Sequence, residues 1–412
     1  MLKDFINISR SKVDTARLPI KIAPIPRVVQ ISLTSSTGVT SQCIVNCGQR
    51  VEEGEVIALA VGAGTRNVHA SIPGVVRNIK KIKISPSFSS LVVEIELNGK
   101  FRFTGVSSDN YKENYNYDEP KNLREKLEDV GISPVWQGIN PKTLMLLIMD
   151  QGSHITSNQR IFIEQVDQIK MGINVICKAF ELDEVIFIVQ KQNRNTVFLD
   201  VLSQFGIRYL KLDLTQAINA RYSLQAVKNL SIKNSIPTKQ ISVWDPENLS
   251  LAFGALFGIP SLYQIITITG NSIRRPQNYK FRIGTSIETC LEESGGVNKI
   301  ESRVFSSNGS AAYEITDFTT PITKETSCLV ANKDLREDTI NTNPCIKCGL
   351  CIEVCPVNLD PQHLHELLYH GNIKNSFESG LQECIECGYC SIACPSHIKL
   401  VQDLSMGKSI RF

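Results

Sequence analysis

Eight of the thirteen cysteines in this chain fall into two copies of one spacing near its C-terminal end. The first copy reads Cys345-Ile-Lys-Cys348-Gly-Leu-Cys351-Ile-Glu-Val-Cys355-Pro356 and the second Cys384-Ile-Glu-Cys387-Gly-Tyr-Cys390-Ser-Ile-Ala-Cys394-Pro395. This C-x2-C-x2-C-x3-C-P pattern wraps three thiolates around one face of a [4Fe–4S] cube and sends the fourth to the other cube. The expected ligand sets are therefore crossed. Cys345, Cys348, Cys351 and Cys394 hold one cluster; Cys384, Cys387, Cys390 and Cys355 hold the other.

Each residue type in the loop has a physical reason. The two-residue gaps let a tight turn aim three sulfurs inward, and Gly349 and Gly388 relieve crowding where the backbone passes inorganic sulfide. Pro356 and Pro395 end the local turn and leave no spare N–H at a crowded place. Paired C-x2-C also holds zinc, but zinc needs four sulfurs in two pairs, not a duplicated four-cysteine run. Three histidines, His363, His365 and His370, lie in the 28-residue spacer between the runs. Eight cysteines already suffice for two cubes, so these read as surface positions on the spacer's two helices, Pro361 to His370 and Asn375 to Gly380.

The length, 412 residues, allows two to four domains with real cores. A net charge of +3 leaves no electrostatic footprint for nucleic acid. The other cysteines (Cys43, Cys47, Cys177, Cys290 and Cys328) are scattered and read as ordinary thiols. Cluster thiolates imply a reducing compartment, and Met1-Leu-Lys-Asp-Phe-Ile-Asn does not open like a signal peptide. Leu251 to Gly270 is uncharged over the length a bilayer requires. Its glycines, Pro260 and polar residues favour a helix to Phe257, a turn, and a buried strand from Leu262 to Thr269.

The fold class expected is multidomain α/β plus β. Residues 1 to about 30 form a basic lead-in with little periodicity. Residues 25–108 are strand-like with glycine turns. There, Gly48 to Ala58 and Val68 to Val76 resemble the repeated hammerhead of a barrel-sandwich domain. The turn at Gly62, Ala63 and Gly64 lacks the lysine that a swinging carrier arm needs. Asp109 to Glu119 serves as a linker. Over 120–260 strands and helices alternate: helix Leu123–Val130, strand Leu144–Met149, helical spacing from Phe162 to Ile176, strand Val185–Val189, helix Val197–Phe205, strand Tyr209–Leu214, helix Leu224–Leu230. That alternation predicts a Rossmann-like parallel sheet wound by helices. A small α+β insert follows at 261–325, with strand, turn and short helix over Tyr279–Leu291. The two-cluster, ferredoxin-like α-helical module closes the chain at 335–404.

This order of domains resembles the family of C subunits of the Rnf electron transport complex. Ile265-Ile-Thr-Ile-Thr269-Gly270, Pro276-Gln-Asn278 and Arg282-Ile-Gly284-Thr285 look like the family's soluble-ligand-binding β-grasp segment. The second cysteine run and Cys394-Pro-Ser-His-Ile-Lys-Leu-Val-Gln402 are similar to its cluster tail. The resemblance implies an iron–sulfur electron-transfer protein of an ion-translocating complex, peripheral on the cytoplasmic face of the inner membrane. Its partners would be membrane subunits of the same complex, with NADH or ferredoxin on the soluble side. The alternative is the iron–sulfur subunit of a soluble flavin-dependent dehydrogenase or a heterodisulfide-type reductase. Relatives also have a glycine-rich, phosphate-cradling loop shared with the flavin- and NADH-binding subunit of respiratory complex I. Here the corresponding stretch is Gly131-Ile-Ser-Pro-Val-Trp136-Gln-Gly138-Ile-Asn140-Pro-Lys142-Thr143, in which Trp136 would crowd a nucleotide. Asp150-Gln-Gly152-Ser-His154 and Ser306-Ser-Asn308-Gly-Ser310 replace two further family segments. Two readings stay open: FMN or NADH phosphate held at Gly138, Asn140 and Lys142, or a domain that has lost this ligand and its own NADH dehydrogenase activity.

Overall fold

A computed structural model describes residues 13–35, 39–62, 66–85, 88–102, 119–132, 134, 136–150, 154–191, 195–212, 220–297, 302–307, 312–333, 342–355, 357–384, 386 and 388–410. Val/Ile-rich alternation in the N-terminal part produces two facing sheets. One orders Val28–Ser32, Phe88–Leu97, Gly74–Ser85 and Arg50–Val51; the other orders Gln42–Cys43, Val56–Leu59 and Val68–His69. Alternate residues point inward, so Val29, Ile31, Ile57, Ile72, Val93 and Ile95 form the shared core while Gln30 and Glu94 face outward. The expected linker, 109–119, lies outside the described residues except for Glu119.

The middle of the chain forms a sheet ordered Tyr209–Leu212, Glu184–Gln190, Thr143–Ile148, Ile241–Trp244 and Trp136–Gln137. The first four strands are parallel; the last pairs antiparallel at the edge. All six residues of Thr143–Ile148 are buried, as a strand covered on both faces requires. Leu144, Leu146 and Ile148 pack under the helices Pro120–Asp129, Val166–Phe180 and Pro246–Ala255, while Met145 and Leu147 meet Val227 of Ala220–Lys233. Where the spacing from Phe162 to Ile176 suggested one helix, there are two, Ser157–Glu164 and Val166–Phe180, broken at Gln165. Neither Ile241–Trp244 nor Trp136–Gln137 announces itself in the sequence.

The next sheet takes strands from distant parts of the chain in the order Lys21–Ile22, Gln277–Arg282, Tyr263–Thr269, Cys328–Lys333, Ser302–Ser307 and Ala312–Ile315. The helix Ile287–Glu293 covers its core of Ile266, Tyr279, Phe281 and Leu329. The sheet thus runs past residue 325, and the N-terminal lead-in belongs to it. Thr15 is buried there: its hydroxyl accepts from Thr156 Oγ1 at 2.9 Å and its carbonyl from Asn278 Nδ2 at 3.2 Å. Leu251–Gly270 divides into the end of the helix Pro246–Ala255 and the strand Tyr263–Thr269. Among the described residues no helix is long and apolar enough to cross a membrane.

Candidate metal centre

The cysteine repeat is also a repeat of backbone. The second run begins 39 residues after the first (384 − 345), and at that offset left-handed conformations recur. Lys347 (φ 54°) matches Glu386 (φ 55°), Gly349 (78°) matches Gly388 (82°), and Asn358 (55°) matches His397 (55°). Four of the six described non-glycine residues with positive φ lie in this module, so the chain concentrates its backbone strain where sulfurs must be aimed. The aimed geometry is visible in the amides. Lys347 N–H donates to Cys345 Sγ and Glu386 N–H to Cys384 Sγ, each at 3.4 Å; Leu359 N–H donates to Cys355 Sγ at 3.3 Å.

Each run is followed at the same offset by a helix, Pro361–Tyr369 and Leu400–Ser409, and the two helices pack together. Their approach is close at Gly407, where a Cβ would come within 2.5 Å of Leu368 Cδ2. That packing carries Cys394 across to the first run. A small cavity, open on one side, is lined by Cys345, Cys348, Cys351 and Cys394, with Gln362 and His365 on its wall. Cys355 and Cys384 meet in a separate apolar group with Leu359, Leu364, Leu381 and Leu404. Cys390 is buried with Cys351, Ile398 and Leu400, and Cys394 packs against that group. Cys387 lies outside the described residues.

These residues fit an iron–sulfur cube. The cavity's donors are soft thiols, no carboxylate is among its lining residues, and amides already point at sulfur. Burial pushes the Cys351 thiol up, with the Asp360 carboxylate adding to it, and burial likewise raises Cys384. Loading such a site must therefore displace protons.

The surroundings of the two runs differ. Cys345 is exposed whereas its counterpart Cys384 is buried; at the other matched positions Cys351 and Cys390 are both buried and Cys355 and Cys394 both half-buried. Glu386 accepts from Ser405 Oγ and pairs with Lys408 Nζ, both at 2.9 Å, and Lys408 also donates to the Cys384 carbonyl at 2.8 Å. The histidines divide as well. His363 and His370 are exposed as expected, but His365 is half-buried on the cavity wall, its Nδ1 2.9 Å from Asp403 Oδ2. Its helical register toward the cavity, one turn after Pro361, was the available signal.

The residues considered for nucleotide phosphate are held differently. Gly138 N–H donates to Ile241 O at 2.8 Å, Asn140 N–H to Lys239 O at 3.2 Å, and Lys142 N–H to Gln240 O at 2.7 Å. Lys142 Nζ lies 3.4 Å from the Glu181 carbonyl and 3.6 Å from Asp183. The stretch leads into the strand Thr143–Ile148 and not into a helix N-terminus, the usual seat for phosphate. The Trp136 side chain, residues 151–153 and residues 308–310 lie outside the described residues. Beyond the strand ends, where doubly wound sheets bind ligands, two described acidic side chains serve the fold. Asp150 and Asp245 cap the helices Ser157–Glu164 and Pro246–Ala255. Burial, then Asp245, pushes Glu247 up to about 8, while Lys280 and Lys324 from the next domain oppose that shift. Burial lowers Lys324 to about 8, and Arg66 adds to the effect.

Three family models match: the RnfC barrel sandwich hybrid domain over residues 2–100, the SLBB domain over 265–311 and a 4Fe-4S dicluster domain over 341–398. Over 420 residues the chain is 26% identical to the C subunit of the ion-translocating oxidoreductase complex of Pasteurella multocida, covering 95% of this chain and 49% of that one. The Rhodobacter capsulatus protein of the same name is 24% identical, with 96% and 80% covered. The C subunit of a proton-translocating ferredoxin:NAD(+) oxidoreductase complex from Clostridium ljungdahlii is 26% identical, with 88% and 84% covered. The chain spans about half the length of the Pasteurella relative. A solved NAD+-reducing [NiFe]-hydrogenase superposes with a TM-score of 0.46 at 12% identity, over 70% of this chain and 63% of that one. The resemblance to Rnf C subunits read from the sequence thus holds over most of the chain, and residues 341–398 form an iron–sulfur domain.

Proposed function

We propose that this chain, built on the plan of the Rnf C subunits, is an iron–sulfur electron-transfer subunit of an Rnf-type complex that couples electron transfer to ion translocation. The observation that carries the reading is the cavity lined by three cysteines of the first run and Cys394 of the second. Two [4Fe–4S] clusters would be held with crossed ligands, one by Cys345, Cys348, Cys351 and Cys394 and one by Cys384, Cys387, Cys390 and Cys355. When bound, such clusters supply one-electron exchange at potentials that the surrounding protein tunes. The chain's residues supply thiolates and direct amides at sulfur, with Cys351, Cys384 and Cys390 buried. Peripheral attachment at the cytoplasmic membrane face, through membrane subunits of the complex, completes the proposal. The match to the RnfC barrel sandwich hybrid domain and the C-subunit relatives favour it over a soluble dehydrogenase or heterodisulfide-type reductase subunit.

Within this reading the chain relays electrons and does not itself oxidise NADH. The amides of Gly138, Asn140 and Lys142 donate to backbone carbonyls, which leaves no cradle of free N–H groups for FMN or NADH phosphate at those residues. The test is anaerobic. The clusters are reconstituted, FMN is added, and visible bleaching and the paramagnetic signal are followed during titration with NADH and then dithionite. Reduction by dithionite alone is expected. Reduction by NADH would make this chain the site of electron entry.

A further inference from the structure

The internal repeat carries its own control, because each residue around the first cavity has a counterpart 39 positions away (384 − 345) in the other half of the module. The cysteines match in kind, but the walls do not. Gln362 and His365 line the first cavity from the helix Pro361–Tyr369. At the matched places of the helix Leu400–Ser409 stand Val401 and Leu404. Leu404 packs with Cys355, Cys384, Val357, Leu359 and Leu381 in an apolar group. Val401 Cγ1 lies over the second run, 4.0 Å from where a Cβ on Gly388 would stand.

The starts of the two helices differ in the same sense. Against burial and the Asp360 carboxylate, which raise the Cys351 thiol, the Gln362 backbone N–H favours its thiolate. The matching Val401 N–H donates instead to Ser391 Oγ at 2.9 Å, where the first run has Ile352. The charges near each set of ligands are answered locally. Asp360 accepts from His363 N–H at 2.9 Å, and Asp403 Oδ2 lies 2.9 Å from His365 Nδ1. In the second run Glu386 pairs with Lys408 at 2.9 Å. The contrast between the halves is therefore one of polar wall against apolar wall more than of net charge.

We infer that the two clusters are unequal, the one held by Cys345, Cys348, Cys351 and Cys394 having the higher potential, and that Gln362 and His365 set it there. The inference rests on the iron–sulfur reading with crossed ligands proposed above. Reduction adds negative charge to a cube. Polar groups and water beside the cube stabilise that charge, an apolar wall penalises it, and cluster potentials follow hydrogen bonding and solvent exposure accordingly. Gln362 contributes a side-chain amide, and His365 offsets the Asp403 carboxylate. An electron given to either cluster would come to rest on the first, one cube being oxidised as the other is reduced.

The test is a potentiometric titration of the full chain, reconstituted anaerobically and followed by paramagnetic resonance. It compares wild type, Gln362→Leu, His365→Leu, their double variant and Val401→Gln, with iron and sulfide measured for each. The wild type should show two separate potentials. Each leucine substitution should lower the higher potential and leave the lower one in place. The double variant should move it by about 59 mV, a ten-fold change for one electron. Val401→Gln, which gives the second wall the amide of the first, should raise the lower potential alone. Coincident wild-type potentials, an unmoved higher potential in the iron-replete double variant, or a leucine shift confined to the lower potential would overturn the assignment. If the double variant loses a cluster, the single substitutions and Val401→Gln decide in the same way. A wild-type chain that takes up no cluster iron would instead overturn the iron–sulfur reading, and this inference with it.

Discussion

In the cysteine-rich module, amides of three loop residues donate to sulfur; in the α/β domain, amides of three loop residues donate to carbonyl oxygen. Both loops occupy places where related folds bind something. The first keeps its donors and thiols directed at a cavity, whereas the second closes against the edge of its own sheet. The difference teaches where function survives: a loop keeps a ligand when its polar groups stay unengaged by the fold, whatever its neighbours in sequence. Ile241–Trp244 would be an edge strand if the stretch from Trp136 to Lys142 bulged outward. Pairing along it satisfies exposed backbone groups, and the same pairing withdraws the amides that phosphate would need.

The largest break in the comparison should come from Cys394→Ser. If the second run's last cysteine completes the first cluster, the variant loses about half of its iron. Its remaining paramagnetic signal belongs to the cluster held by Cys384, Cys387, Cys390 and Cys355. Iron analysis and spectra after anaerobic reconstitution read the result; loss of the signal assigned to the second run would reverse the crossed assignment.

The module was legible because ligand spacing is a local property of the chain. Two-residue gaps and a following glycine restrict a loop whatever surrounds it, so the runs could be read without knowing their neighbours. The parallel strands were legible for a similar reason, since Leu144 to Ile148 is apolar without interruption and bounded by turn residues. Edge pairing was not. Trp136–Gln137 is too short to show a period, and its partner Ile241–Trp244 carries Ser242 in a buried place. That serine is accommodated because its hydroxyl accepts from Trp244 Nε1 at 2.8 Å, a contact no pattern announces. Lys21–Ile22 is another such case, a two-residue strand paired with residues more than 250 positions away. His365 was misplaced because its half-burial arises from the helix Leu400–Ser409, across the internal repeat.

The next effect in size tests whether a polar group at the border of the α/β domain serves the fold. His69, in the barrel-sandwich strand Val68–His69, is buried where that domain meets the helix Pro120–Asp129, and there burial and then Lys324 lower it to about 4 while the Asp129 carbonyl accepts its N–H. The unfolded chain binds a proton near 6.5, the folded one only near 4. The native state is therefore fully favoured above pH 6.5 with respect to this group, and loses stability as pH falls from 6.5 to 4. The loss from His69 should be about 2–3 kcal/mol. Urea unfolding across that range should show a flatter profile in His69→Gln than in wild type; parallel profiles would mean that the imidazole protonates freely.

Gly138→Ala comes next. A Cβ there would lie 2.3 Å from the Lys239 carbonyl oxygen and 2.7 Å from its carbon, which are backbone atoms without room to turn aside. The edge pairing must loosen, at an expected cost of about 2 kcal/mol in a urea unfolding series. If stability is unchanged and the variant acquires FMN, the loop was poised to open and the contrast with the cysteine runs fails.

The smallest predicted effect sharpens the comparison within the module. Lys408 is 17% exposed and holds both the Cys384 carbonyl and Glu386; Lys347, in the first run, stands in solvent. A cation near a cluster favours the reduced, more negative state, by an amount that grows as water is excluded. Lys408→Met also leaves Glu386 without its cation, which adds in the same direction. The potential of the second-run cluster should fall on the order of 50 mV, about a ten-fold change in its redox equilibrium. Lys347→Met should shift the first-run cluster less, because solvent and salt screen the exposed charge. Potentiometric titration followed by paramagnetic resonance, at low and at moderate ionic strength, separates the two. Equal shifts, or a salt-sensitive shift at Lys408, would mean that the second run is as wet as the first and that burial does not distinguish the clusters.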